Sequence, residues 1–464
     1  MVFSSLIFIF LFLPVVLVLY YITPSLYFRN WILVISSILF YAWGEPIWVI
    51  LLLLSATVDY FNGKFIEKNR GKPIAKWGLV ATFVVNLGLL FFFKYSGFII
   101  ENFNTITKLN LPVPSFSLPV GISFYVFMSL SYTLDVWYNK VKAQTSYSSF
   151  LVYIANFHHL VAGPIIRYGH IAKEITERYF RWEDFHYGIS RFSKGLFKKV
   201  CIANTAGALA APLLESSEGL TVSGAWLGVI LFSLQIYFDF SGYSDMAIGL
   251  GKMFGFHYHE NFKHPYTARS VSDFWRRWHI SLSSFFKDYV YIPLGGNKHN
   301  QIRNILVVWC LTGLWHGASW NFIIWGGYFG ILLLAEKILL KRLLELSPAI
   351  LQHLYALFFI AIGWAIFYFT DLEQLRSHLR VMFGFTSAEL FNYKDTSLIM
   401  SNIYWLIMTL FLCMPIRSFI REKISNVSEI LATFSELIQT ILFLACSVTL
   451  LVGSTYNPFI YFRF

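Results

Sequence analysis

The chain has 464 residues, 57% hydrophobic, 19% aromatic and 13% charged, with a formal net charge of +11. That charged share is about half that of an ordinary globular chain, too little to clothe the roughly three soluble domains this length would build, whereas a bilayer lets a helix stay apolar all round. A nucleic-acid binder is also excluded, because the basic residues sit beside apolar runs and form no separate basic face.

In chain order, stretches able to span or nearly span a membrane fall at 6–22, 31–43, 47–61, 77–100, 118–138, 196–213, 222–239, 304–315, 320–335, 349–369, 398–412 and 436–453. They predict an all-α polytopic membrane protein of about eleven or twelve transmembrane helices. There is no internal repeat, low-complexity tract or soluble appendage. The first stretch, MVFSSLIFIFLFLPVVLVLYYI, has no basic residue ahead of its apolar run and is long enough to cross. It reads as a spanning helix with its N-terminus outside, not as a cleaved leader. Basic clusters follow at 64–76, 167–199, 263–303, 337–342 and 417–423. Threading from an external N-terminus puts all five on the cytoplasmic side under the positive-inside rule, and leaves Glu45, Glu101, Glu215, Glu218 and a mixed loop at 370–397 outside. Cys201, Cys310, Cys413 and Cys446 are scattered without CxxC spacing, which makes them packing residues and argues against disulfides or a thiolate metal site.

Three stretches do not fit simple spans. Residues 148–166 are short and apolar and carry His158 and His159 ahead of Ala162-Gly-Pro164. Residues 304–315 are too short to cross about 30 Å at 1.5 Å per residue, and run into Gly313-Leu-Trp-His-Gly317. Residues 264–292 are amphipathic, with aromatic residues interleaved with Asp273, Arg276, Arg277, His279, Lys287 and Asp288. Irregular backbone persists at membrane depth only where protein or a water-filled cavity surrounds it, so a polar cavity is expected between residues 150 and 330.

His316 stands at the junction of two apolar segments, in Thr312-Gly-Leu-Trp-His-Gly-Ala-Ser-Trp-Asn321. An ionisable group there is costly and marks function by default. A neutral, poorly solvated imidazole can take a proton from an attacking hydroxyl, and Gly313 and Gly317 would keep the surface beside the ring small, as a reacting group needs. A structural histidine bonded to a neighbouring helix fits the same pattern. His279 lies in Asp273-Phe-Trp-Arg-Arg-Trp-His-Ile-Ser281. On one helix Trp275, His279 and Ser283 would share a face with Arg276 beside them; an interfacial helix with snorkelling arginines is the alternative.

Asp239 and Asp245 close the run Phe238-Asp-Phe-Ser-Gly-Tyr-Ser-Asp245, and such acids need partners, for which Arg276, Arg277 and Lys252 are the candidates. A structural pair pinning helices is the simpler role. His257, His259, Glu260 and His264 lack HExxH spacing and are interrupted by Pro265, so no metal site is expected. No GxSxG elbow, P-loop or HxxxxD pattern is present. The simplest chemistry is direct transfer between two bound substrates with histidine as general base, proximity supplying much of the rate.

The chain resembles the membrane-bound O-acyltransferase family, in its bacterial branch typified by the alginate O-acetylation membrane protein. The matching runs, in family order over nearly the whole chain, are Leu118-Pro-Val-Gly-Ile-Ser-Phe124, Leu160-Val-Ala-Gly-Pro-Ile-Ile-Arg-Tyr168, Phe238 to Gly249, Asp273 to Leu282, Asp288-Tyr-Val-Tyr-Ile-Pro-Leu-Gly-Gly296, Gly313 to Gly317 and the terminal 457–464. The resemblance implies that His316 matches the family's catalytic histidine and His279 its second signature position. Trp275, Arg276, Asp239, Asp245, Trp315 and Ser283 would be supporting or substrate-binding residues. It also implies one membrane domain over 1–464, with N-terminal helices at 1–147, a catalytic core at 148–335 and C-terminal helices at 336–464, around a central tunnel or funnel with re-entrant helices. His158 departs from the pattern, since relatives carry proline there, and the local helix start is expected to differ.

The implied activity moves an acyl group, acetyl above all, from a cytoplasmic thioester such as acetyl-CoA towards hydroxyls of an extracytoplasmic polysaccharide or cell-wall glycan. No bound cofactor is implied. A separate extracytoplasmic SGNH-type partner, membrane lipid and a bacterial inner-membrane location are. D-alanyl transfer to teichoic acid from a carrier-protein thioester is the alternative within the family, against which Pro293-Leu-Gly-Gly296 and the terminal Tyr461-Phe-Arg-Phe464 speak. A proton-coupled transporter or flippase is the alternative of another class; it would more often show inverted repeats and paired broken helices.

Overall fold

The computed structural model describes residues 1–114, 116–215, 219–453 and 459, with side chains 417 and 418 left outside that description. Glu218, the Arg417 side chain and, apart from Phe459, the terminal 457–464 run therefore lie outside the described residues. The chain divides into two compact units: Met1–Ser193 with Tyr243–Glu260, and Lys194–Gly242 with Asn261–Phe464.

The first unit opens with α1 (Phe8–Ile22). Its start is set by Ser5, whose Oγ accepts from the Phe8 amide at 3.3 Å. Helical residues run without a break over 6–22, the apolar run read from the sequence, about 25 Å at 1.5 Å per residue. α2 (Leu26–Gly44), α3 (Val49–Lys68) and α4 (Ala75–Thr107) follow. Next comes α5 (Ile122–Trp137), buried on nearly every side around Tyr125 and Tyr132. α6 (Tyr147–Ala155) ends ahead of an irregular stretch carrying His158 and His159, so the region around His158 is not a helix start. Both imidazoles reach the Tyr258 hydroxyl, at 3.3 and 3.4 Å, and both are held below the usual histidine range by burial.

α7 (Trp182–Phe197) and α8 (Val222–Met253) each continue from one unit into the other. α8 carries Asp239 and Asp245 inside one 32-residue helix, not at its end as the apolar run suggested. The polar face Asp-Phe-Ser-Gly-Tyr-Ser-Asp keeps helical spacing, and ion pairs absorb its charge.

In the second unit, α9 (Val271–Arg277) and α10 (Ile280–Phe286) are two short helices with a break at His279, so the amphipathic stretch 264–292 is not one helix. α11 (Gln301–His316) runs into α12 (Trp320–Leu346), and α13 (Ala349–Tyr368) follows. The stretch read as a loop at 370–397 contains a helix, Leu372–Met382, started by Asp371 accepting from the Glu373 and Gln374 amides at 2.7 and 3.2 Å. A helix pair bent by 63°, Tyr393–Ser401 and Ile403–Leu412, precedes α14 (Ile416–Ser425) and α15 (Glu429–Val452).

Among the described residues seven helices are long and apolar enough to cross a membrane: α2, α3, α4, α8, α12, α13 and α15. The bent pair makes an eighth if it is one span. The other apolar stretches form helices too short for that test, as in α1, α5 and α11, or are burdened by charge, as in 182–215. The four cysteines are unpaired; Cys201 and Cys413 are packed inside, while Cys310 and Cys446 lie exposed on apolar helices and are not packing residues.

Candidate active site

The site begins with the short helix α9. Ser270 caps it, its Oγ accepting from the Asp273 amide at 3.0 Å, and Asp273 in turn holds Arg277 one turn later at 3.0 Å. The two first amides are taken by a second carboxylate: Val271 N–H and Ser272 N–H donate to the two oxygens of Glu336, at 2.6 and 2.8 Å. Glu336 is buried, so these charge-assisted bonds fix the helix start firmly against α12. Trp275 then packs among Trp309, Phe329 and Trp325, with ring centroids 4.8, 4.9 and 5.5 Å away.

α9 cannot continue through His279, which stands at φ +44°, ψ +54°, a left-handed backbone that non-glycine residues rarely adopt. The segment from Asn261 holds it there. Ile280 N–H donates to the Asn261 carbonyl at 2.9 Å and Lys263 N–H to the Arg277 carbonyl at 2.9 Å. The Asn261 side-chain oxygen accepts from the Ser281 amide at 3.1 Å and the Ser281 hydroxyl at 2.9 Å, and faces His279 Nδ1 at 3.2 Å. The backbone amide of Ser281 fixes which end of the carboxamide is oxygen, so His279 Nδ1 carries the hydrogen and Nε2 is the acceptor. Burial pushes His279 down to about 3, so the ring is neutral near pH 7.

His316 ends α11, 6% exposed, with its ring 4.9 Å from Trp325, 4.9 Å from Trp315 and 5.2 Å from Phe367. The glycines beside it have another role than the one read from the sequence. A Cβ on Gly313 would meet the Phe322 carbonyl and one on Gly317 the Phe322 ring, so both let α11 and α12 approach and neither opens space beside the imidazole.

Trp275, Arg276, His279, Ser283, Thr312 and His316 line one cavity of about 250 Å³ within the second unit. Trp275, His279 and Ser283 thus converge without sharing a helical face. The break at His279 folds the two short helices so that the Ser283 hydroxyl reaches the Trp275 carbonyl at 3.4 Å. Trp315 is not in the lining; it backs His279 at 5.8 Å between ring centroids.

Asp239 and Asp245 are elsewhere, and their partners are not Arg276, Arg277 or Lys252. Asp239 pairs with Lys199 at 2.6 Å, and Asp245 with Arg191 at 2.6 Å, the same guanidinium holding Glu260 at 2.6 Å. Lys252 is engaged by Asp184 at 2.7 Å. The four-residue group flagged near 260 is dispersed too. His257 meets Glu174 at 2.8 Å, Glu260 meets Arg191, and His264 faces the Cys413 carbonyl at 3.3 Å. Sequence reading missed Asn261 and Glu336. Glu336 lies 64 and 65 residues from the amides it holds, and no spacing rule reaches that far.

A buried neutral imidazole, a second histidine at a helix end and a partly apolar cavity suit acyl transfer between bound substrates, and the chain's likenesses define the same class of protein, a multi-pass membrane O-acyltransferase. The model of MBOAT, the membrane-bound O-acyltransferase family, matches residues 122–416, and the chain belongs to that family. It is 36% identical to a protein of Azotobacter vinelandii named "Probable alginate O-acetylase AlgI", over the full length of both. It is 32% identical to a Helicobacter pylori peptidoglycan O-acetyltransferase, over all of this chain and 98% of that one. A teichoic acid D-alanyltransferase of Bacillus subtilis is 30% identical over 46% of this chain and 58% of its own.

Proposed function

We propose that this O-acyltransferase takes an acetyl group from a cytoplasmic thioester, acetyl-CoA being the simplest donor, and moves it towards a hydroxyl of an extracytoplasmic polysaccharide or cell-wall glycan. The observation that carries the reading is the convergence of His279 and His316, from separate elements, on one cavity. His316 acts as general base. As the acceptor oxygen attacks the thioester carbonyl, its proton passes to the imidazole; the C–S bond breaks, and the proton leaves with the departing thiolate. His279, with Nδ1–H committed to Asn261, has no hydrogen on Nε2 to give a carbonyl oxygen. It orients a substrate by accepting an N–H or O–H from it. Trp275, Arg276 and Ser283 shape the donor site. Asp239 and Asp245 hold helices through their ion pairs.

Acetyl is favoured over D-alanyl because the two acetyl-transfer relatives align over the whole chain and the D-alanyl one over 46% of it. The proposal includes an inner-membrane location with the N-terminus outside and a separate SGNH-type protein completing transfer to the polymer. The test is His316→Ala in cells lacking the wild-type gene. The variant should insert at wild-type levels while acetyl ester on the glycan falls to the level of the deletion strain; glycan acetylation at wild-type level would refute the role of His316.

A further inference from the structure

We propose that a second cavity, about 310 Å³ and separate in its lining from the one holding the histidines, binds an anionic phospholipid of the cytoplasmic leaflet. Two stretches far apart in the sequence bring cations to it, Lys194 and Lys198 at the end of α7 and just beyond, and Arg421 on α14, and a third segment adds the imidazole of His264. Among the described residues of the lining the one carboxylate is Glu436, 3.6 Å from Arg421, beside the three permanent cations. The rest of the wall is largely apolar, with Phe197 stacked on Phe443 at 4.4 Å and Ile424 beside them. A soluble anion has no use for such a wall; a phosphate attached to an acyl chain uses both parts. Basic pockets between membrane helices on the cytoplasmic side take anionic headgroups in this way.

The neighbouring helix supports a lipid-facing position. α14 leaves Phe419 and Ile420 exposed next to Arg421 and Lys423, the make-up of a helix lying in the membrane interface. The cations come from basic clusters that the positive-inside rule assigns to the cytoplasmic side. Lys198 also donates to the Ser241 hydroxyl at 3.3 Å, which keeps its ammonium near the cavity wall.

The experiment uses the full chain purified in detergent, with phosphatidylglycerol or phosphatidylcholine added and bound lipid counted by native mass spectrometry. One phosphatidylglycerol should be retained under conditions that strip phosphatidylcholine. The double variant Lys194→Gln, Arg421→Gln should weaken that retention at least tenfold, while Lys194→Arg with Arg421→Lys keeps it. Ile424→Trp, which fills the apolar part and leaves every charge in place, should also expel the lipid, and it decides the matter if the glutamine pair fails to elute as a single species. Equal retention of the two lipids, or undiminished retention in Ile424→Trp, overturns the proposal. So does displacement of the lipid by coenzyme A, which would assign the cavity to the acyl donor. The readout is lipid binding, so the outcome does not depend on the acyl-transfer reading.

Discussion

His279 shows how much of the site one residue's surroundings decide. A non-glycine residue in the left-handed region costs about 1–3 kcal/mol and persists only where neighbours over-determine it. Asn261 is that neighbour, through its backbone and its carboxamide. The imidazole, pushed down to about 3 by burial, is neutral across the physiological range, so the wild type should show no activity limb from His279 between pH 5 and 8. Asn261→Asp places a carboxylate against Nδ1, which favours the charged ring and raises its pKa. The acceptor on Nε2 is then lost as pH falls through the raised value, so acyl transfer should drop on the acid side; a profile from pH 5 to 8 that only scales down uniformly would refute the positioning role. Stability has the same sign for His279. The unfolded ring gains its proton below about 6.5 and the folded one only near 3, so its contribution is complete above 6.5 and declines as pH falls. His279 was legible in the sequence, since an ionisable residue in a low-charge chain stands out. Asn261 was not, because a buried carboxamide 18 residues away leaves no periodic trace.

At the scale of elements, the site depends on how α9, α11 and α12 are clamped. Glu336 takes the first two amides of α9, and Glu336→Leu leaves both without their acceptor. An unmatched buried donor costs about 1–3 kcal/mol, in full at Val271 and less at half-buried Ser272, so the variant should melt several degrees lower and lose most of its acyl transfer, with Glu336→Gln between the two. An unchanged melting temperature in Glu336→Leu would remove the clamp from the account. α11 and α12 meet where Gly313 faces the Phe322 carbonyl and Gly326 the Trp309 carbonyl, each position closed to a Cβ. Gly313→Ala therefore pushes apart the helix end that carries His316. Activity should fall at least tenfold while insertion is kept, and Gly327→Ala, whose Cβ would meet nothing within 4 Å, should be silent in the same assay. The apolar runs foretold most of these helices. The break at 278–279 was hidden, because it contains neither glycine nor proline and is imposed by the segment at Asn261, outside both short helices.

For the whole molecule the open quantity is orientation, and charge supplies the argument. With the shorter helices α1, α5 and α11, the helical stretch 182–215 and the bent pair counted as crossings beside the seven longer ones, the chain alternates sides about twelve times. From an external N-terminus, the turn holding Arg70 and Lys72 and the stretch holding Lys287 and Lys298 both fall inside. The ends of α4 and of the helix Leu372–Met382 fall outside. Two crossings miscounted in the irregular stretch at 156–167 or at α9 and α10 would leave the early loops in place and invert nothing after them; one miscount would invert every later loop. Impermeant maleimide labelling separates these cases in a background with the four native cysteines replaced by alanine. Lys72→Cys and Lys298→Cys, both at exposed positions, should label only after the membrane is opened, and Thr107→Cys and Ser387→Cys should label on intact cells. Reversal of all four would place the N-terminus inside. Reversal of Lys298→Cys and Ser387→Cys alone would show that an even number of crossings lies between residues 107 and 298 where the alternation has three, and would invert α9 to α12, with the histidine cavity, across the membrane.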